Sequence, residues 1–210
     1  MDLIHWFIDV VLHLDKHLVE LLGQYGLWVY AILFAIVFAE TGFVVTPFLP
    51  GDSLLFAAGA LAAVDTSGTL SAPALSLVLV VAAVSGNTVN YHIGRWIGPP
   101  AFSGKYRWLK VDYLKRTEAF FDKHGSMTIV LSRFAPIIRT CAPFVAGVAR
   151  MPYARYQAYN VAGGLAWVLA FVWAGFFFGN IPFIKENFGL VTIGIVVISL
   201  IPVAWVALKK

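Results

Sequence analysis

The chain is short of charge. Only 12% of its 210 residues are Asp, Glu, Lys or Arg, against about 25% in ordinary soluble domains. Hydrophobic residues make up 60%, and mean hydropathy is +0.82. A soluble protein of this size has too little polar surface to cover so much apolar material. The composition therefore excludes that class and points to one compact, all-α integral membrane domain. Cysteine is almost missing. With Cys141 alone, no intrachain disulfide can form, and a Cys-based metal cluster is not expected. A cleavable leader is not expected either, because the first residues (MDLIHWFIDV) are acidic rather than basic and no A-x-A site follows. His5, His13 and His17 lack the acids or cysteine that would complete a metal set, so neither metal nor other cofactor is expected. The net charge of +4 is modest, and no nucleic-acid partner is expected.

What is present is long apolar sequence broken at informative places. Residues 1–24 read as an amphipathic helix at the membrane interface, with Leu3, Phe7, Val10, Leu14 and Leu18 on one face. Packing of that helix on the protein's own surface is the other reading. Three uncharged stretches exceed the ~20 residues of a spanning helix, and spans are expected near 72–97, 154–179 and 188–208. Trp96, Tyr153 and Trp205 stand near their ends, where aromatic rings suit the interface.

Two further apolar regions, 27–64 and 125–150, are too broken for simple spans. Each has an apolar half of about 10–13 residues, a polar Pro-containing break, and a second apolar half, which suits a re-entrant hairpin. Pro47, Pro50 and Gly51 in one, and Pro136 and Pro143 in the other, would form the turns and hold the tips open. Irregular backbone at membrane depth is tolerated where protein or a water-filled cavity covers it, so an internal site is expected. Phe56–Ala60 (FAAGA) resembles Phe144–Val148 (FVAGV), and each hairpin precedes a span ending in G-x-x-x-G, Gly94 to Gly98 and Gly175 to Gly179. The shared order suggests a duplicated unit: first repeat 25–98, cytoplasmic linker with an amphipathic helix 99–124, second repeat 125–180, and a C-terminal span 187–208. Within the linker, Tyr113, Thr117, Phe120 and Phe121 share a side of the expected helix 112–124.

The basic linker belongs in the cytoplasm by the positive-inside rule. Tracing the chain both ways from it makes the two hairpins enter from opposite faces, an inverted repeat of the kind many secondary transporters use. In the rival topology 27–49 is a full span and the N-terminus is inside.

Four charges stand inside these hairpins: Glu40 and Asp52 in the first, Arg133 and Arg139 in the second. Each costs about 2.5–3.5 kcal/mol at a helix centre on insertion scales. If the tips meet they can neutralise one another as internal ion pairs. They can also work: guanidinium binds phosphate bidentately and stays charged when desolvated, and a desolvated carboxyl can carry a proton near neutral pH. Together they form a candidate proton-coupled anion site. Asn87, Asn90, Tyr91, His92, Tyr159 and Asn160 either line a pathway or, the favoured reading for the buried Asn and Tyr, join helices by hydrogen bonds. Gly163 and Gly164 are expected to permit close helix approach, and Cys141 to be a small packing residue.

The stretch SRFAPIIRTCAPFVAGVARMPYARYQAYNVAGGLAWV, Ser132 to Val168, closely resembles the DedA family of VTT-domain membrane proteins, and ETGFVVTPFLPGDSLLFAAGALA resembles its acidic motif. The resemblance covers 25–208. It implies two facing re-entrant hairpins, residence in the bacterial plasma membrane as a multi-pass protein, and a role in lipid traffic. Bacterial relatives return undecaprenyl phosphate across the membrane, others move phospholipids, and activity in several is linked to the proton gradient. The family's essential acids match Glu40 and Asp52, and its essential arginines match Arg133 and Arg139. Cys141 departs from the pattern, an aromatic residue being more usual there, which leaves open a slightly wider cavity.

The expected function is a proton-motive-force-linked translocase of undecaprenyl phosphate or a related anionic lipid. Its partners would be membrane lipids and protons, and self-association is left open. The alternative is a proton-coupled ion or small-solute antiporter supporting pH and envelope homeostasis. An enzyme, such as a lipid phosphatase, is not expected, because no P-S-G-H type motif sets a histidine beside the arginines.

Overall fold

The structure is a computed structural model that describes residues 20, 23–43, 51–103, 111–179, 181–182 and 194. The described residues hold no strand, and their longer elements are α1 (Trp28–Gly42), α2 (Gly51–Val64), α3 (Ala72–Ile97), α4 (Val111–His124), α5 (Pro136–Val148) and α6 (Tyr153–Phe178). The expected N-terminal interfacial helix lies almost wholly outside the described residues. So do Pro47 and Pro50 and, apart from Gly194, the C-terminal span.

Helices α3 and α6 are each 26 residues long, enough to cross a membrane, and they fall within a residue of the expected spans. Their burial pattern is compatible with helices in lipid. On α3, Leu75, Ser76, Leu79, Ala82, Ala83, Asn87, Asn90 and Tyr91 are buried at helical spacing, while Leu77, Val81 and Val89 are exposed. Polar groups thus face inward and large apolar ones outward, because only the interior offers hydrogen-bond partners. On α6, Tyr156, Asn160 and Trp167 are buried, and Val161, Leu165, Leu169 and Phe177 are exposed.

Two compact units are formed, one from 1–34, 50–79 and 168–201, the other from 35–49, 80–167 and 202–210. In the first, α2 lies against the 168–178 part of α6. A Cβ on Gly59 would sit 2.8 Å from the Val172 carbonyl carbon, and one on Gly175 2.8 Å from that of Phe56. The Tyr30 hydroxyl donates to Thr69 O at 3.2 Å and accepts from Ser71 N–H at 2.9 Å, so the start of α1 meets the loop that follows α2.

The second unit repeats the first unit's close contact with other residues. A Cβ on Gly94 would lie 2.8 Å from the Phe144 carbonyl carbon, and one on Gly147 3.0 Å from that of Tyr91. Phe56 and Gly59 therefore correspond to Phe144 and Gly147, and Val172 and Gly175 to Tyr91 and Gly94. The sequence match FAAGA to FVAGV is thus one helix contact made twice, once by α2 on α6 and once by α5 on α3. The two G-x-x-x-G pairs divide differently. Gly179 packs on Ala60, whereas Gly98 takes a left-handed φ of 67° and ends α3, its N–H returning to Gly94 O at 2.9 Å.

The first arm of the second hairpin region is less regular than the apolar half expected there. Gly125–Met127 and Ser132–Phe134 are 3-10 turns flanking a single α-turn, Thr128–Leu131. Gly125 enters with φ 58°, and Ala135 is extended (φ −126°, ψ 100°), as a residue before proline prefers. Pro136 then starts α5 at a position where its missing N–H costs nothing. Helix α4 turns Leu114, Thr117 and Phe121 toward α5 and its neighbours. Thr117 and Phe121 were expected on that side, while Phe120 instead stacks on His124 with ring centroids 4.2 Å apart.

Candidate functional site

Within the second unit, Glu40 stands in the last turn of α1 and is fully buried. Its Oε1 accepts from Arg139 Nη2 on α5, an ion pair buried on both sides. Isolated charges would not survive there. Pairing recovers much of their desolvation cost, and removing one partner strands the other.

Arg133, in the 3-10 turn before α5, is 1% exposed and is held differently. Its Nη2 donates to Asn160 Oδ1 at 2.7 Å and Ala83 O at 3.3 Å, both neutral acceptors. Its Nε and Nη1 are buried with no hydrogen-bond acceptor among the described residues. Gly163 and Gly164 flank the guanidinium, a Cβ on either lying 3.5 Å from it in ordinary contact. Gly163 also lets α6 approach the Val130 backbone, as expected of that pair. Both guanidinium groups lie over the Trp167 ring, Arg139 at 5.2 Å and Arg133 at 5.8 Å from its centroid. An aromatic face supplies a desolvated cation with attraction that does not compete with an anion for its N–H groups.

Neutral groups complete the cluster. Asn87 Nδ2 donates to Asn160 Oδ1 at 3.2 Å, Tyr156 hydroxyl to Asn87 O at 2.7 Å, and Asn160 Nδ2 to Val84 O at 3.0 Å. Asn90 Nδ2 donates to Thr41 O at 3.2 Å and Thr140 O at 2.9 Å. Tyr91 donates to Met151 O and accepts from Arg95 at 3.0 Å. These residues join helices, which is the favoured of their two readings. Pro143 stands inside α5 and removes the N–H that would otherwise bond the Arg139 carbonyl.

Asp52 is buried in the first turn of α2, where a carboxylate suits the helix N-terminus, with Gly51 immediately before it. Both belong to the first unit. The structure thus brings Glu40 to Arg139 and Arg133 to Asn160. Sequence reasoning missed Trp167, since one more tryptophan in an apolar span carries no signal of its own. A cavity of about 530 Å³ opens elsewhere in the second unit, between Glu118, Phe121 and Asp122 on α4 and Val145, Ala146 and Val148 on α5. None of the four hairpin charges lines it.

The VTT domain model covers residues 49–177, well over half the chain. The chain belongs to the DedA family of VTT-domain membrane proteins. It is 53% identical to Protein DedA of Escherichia coli (strain K12) over 203 residues, 96% of this chain and 92% of that one. An uncharacterized membrane protein of Mycobacterium leprae (strain TN) is 42% identical over 86% of this chain and 82% of its own. Inner membrane protein YghB of Escherichia coli (strain K12) is 34% identical over 87% and 79%. No solved structure matches.

Proposed function

We propose that this DedA-family protein is a transporter rather than an enzyme, a proton-linked translocase for an anionic lipid of the polyprenyl phosphate class. It would sit as a multi-pass protein in the bacterial inner membrane. The observation that carries this reading is Arg133: a fully buried guanidinium held by an amide and a carbonyl, with two N–H-bearing nitrogens that have no acceptor among the described residues. Such a group is a standing anion site, and phosphate oxygens fit its fork. Arg139, on the same tryptophan, is released to the phosphate when Glu40 takes a proton. Proton uptake by the acid and anion binding by the base are thereby coupled. Asp52 is assigned to the same proton traffic.

The reading includes two re-entrant hairpins. The contact from Tyr30 to Thr69 and Ser71 supports the first, because it returns the loop after α2 to the start of α1. Helix α1 has 15 residues and α2 has 14, each about 22 Å long at ~1.5 Å per residue, short of a ~30 Å hydrocarbon core.

The test is flipping of a labelled prenyl phosphate in proteoliposomes, with and without a pH gradient, beside phosphatidylglycerol and a lipid-free arm that follows solute-driven proton flux. Gradient-stimulated prenyl phosphate flipping that Arg133→Met and Arg139→Ala abolish is expected. Equal flipping by parent and both variants overturns the proposal. Proton flux driven by solute alone replaces it with antiport.

A further inference from the structure

Asn90 occupies a singular place on α3. Its side-chain nitrogen donates to two main-chain carbonyls on two other helices, Thr41 O at 3.2 Å and Thr140 O at 2.9 Å. Thr41 follows Glu40 and Thr140 follows Arg139. One fully buried amide therefore ties down the backbone next to both members of the ion pair. Its orientation is fixed by chemistry, since carbonyls accept only and the nitrogen must face them. Thr41 O lies in the last turn of α1, where no N–H of that helix can reach it, so Asn90 supplies its donor.

The local sequence is built for this. Gly86, Asn90 and Gly94 stand four residues apart on one stripe of α3. A Cβ on Gly86 would lie 2.7 Å from Phe38 O on α1, and one on Gly94 2.8 Å from the Phe144 carbonyl carbon on α5. The glycines bring the two backbones to α3, and Asn90 between them reaches both. Helix packing alone does not require the amide. In the first unit, where Gly175 and Val172 stand for Gly94 and Tyr91, the position matching Asn90 is Phe171, and the close helix contact still forms.

We propose that Asn90 is a positioning residue that holds Glu40 and Arg139 in register and keeps their pair closed until a ligand exchanges with it. The inference deepens the transport reading and rests on it for its consequence, but its test does not. Apolar carbodiimides modify protonated carboxyls buried in apolar surroundings, and mass spectrometry locates the adduct. In the detergent-solubilised parent at neutral pH, Glu40 should stay unmodified. In Asn90→Leu it should be labelled about tenfold faster or more, the scale set by losing two buried hydrogen bonds. Asn90→Ser, which keeps one donor, should fall between. Asn87→Leu, which breaks a neighbouring buried amide contact instead, should follow the parent, separating positioning from general loosening. If Asn90→Leu does not fold, the serine variant decides. Glu40 labelling in folded Asn90 variants that superimposes on the parent, or equal labelling in Asn87→Leu, overturns the proposal. A parent that moves no lipid but shows the Asn90-dependent labelling sinks the transport reading and leaves this one standing.

Discussion

Arg133 and Arg139 lie over one tryptophan, yet their removal should have different consequences. Arg139→Ala takes from buried Glu40 its hydrogen-bonded counter-ion, a loss of about 3–5 kcal/mol. Arg133→Met removes a cation whose hydrogen-bond acceptors are neutral and which Glu40 attracts without a hydrogen bond, and Asn160 Oδ1 keeps its donor in Asn87. Its cost should be nearer ~1 kcal/mol, the scale of the hydrogen bonds lost. Thermal unfolding in detergent should therefore rank Arg139→Ala well below Arg133→Met, while both lose phosphate-lipid transport. A second residue-scale prediction concerns Asp65, outside the membrane, whose carboxyl is held below the ordinary range by the Leu70 N–H and the Ser67 hydroxyl. A lowered pKa stabilises the loop above the ordinary carboxylate value of ~3.9 and loses that contribution as pH falls through the lowered one. Amide exchange at Leu70 should be faster in Asp65→Ala than in the parent at pH 7, and the two should converge in acid. The charged members of the site were legible because a charge in an apolar run has no inexpensive structural reason to be there. Trp167 was not, because an indole is unremarkable in a membrane helix until its partners are known, and Asn90 was legible as a helix-joining amide but not as the one beside the ion pair.

At the scale of elements, four glycines carry the repeat. A Cβ on Gly59, Gly94, Gly147 or Gly175 would run into main-chain atoms of the facing helix. Unlike a side-chain end, a backbone cannot step aside without moving its helix. Gly59→Ala and Gly147→Ala should each cost about 1–3 kcal/mol or more by overpacking, and by similar amounts, since the two contacts are copies. Gly23→Ala, with nothing within 4 Å of its Cβ, should be neutral or slightly stabilising. Melting temperatures of the variants check this, and a large difference between Gly59→Ala and Gly147→Ala would deny the equivalence of the contacts. The long helices were readable to within a residue because hydrophobic length alone specifies them. The FAAGA and FVAGV match was also visible, but not that the first packs on α6 and the second on α3, since helix partners leave no mark on hydrophobic periodicity. The first arm of the second hairpin region is irregular for a local reason: Gly125 and Ala135, the residue before Pro136, leave only nine residues between them, and these form one α-turn flanked by 3-10 turns.

For the whole molecule, the side of the membrane on which each loop emerges decides between the two topologies that composition permits. Helix α3 has 26 residues, about 39 Å at ~1.5 Å per residue, so Ser67 before it and Pro99 after it must face opposite sides if it spans. If the first hairpin is re-entrant, Gln24 and Ser67 face the same side, and the Tyr30 contact with the loop at Thr69 and Ser71 favours that. If 27–49 is a full span, they face opposite sides. By the positive-inside rule, Lys115, Arg116, Lys123, Arg150 and Arg155 predict that the region after α3 is cytoplasmic, so Ser126 and Arg150 should both be internal. The lone buried Cys141 makes the experiment simple, since a Cys141→Ala background carries one reporter at a time. Gln24→Cys and Ser67→Cys should react with a membrane-impermeant maleimide added outside intact spheroplasts. Ser126→Cys and Arg150→Cys should react only after the membrane is opened. Protection of Gln24→Cys with reaction at Ser67→Cys would convert the first hairpin into a span. Glu40 would then lie on a crossing helix rather than near a re-entrant tip, and its access to protons from the outside would need another route.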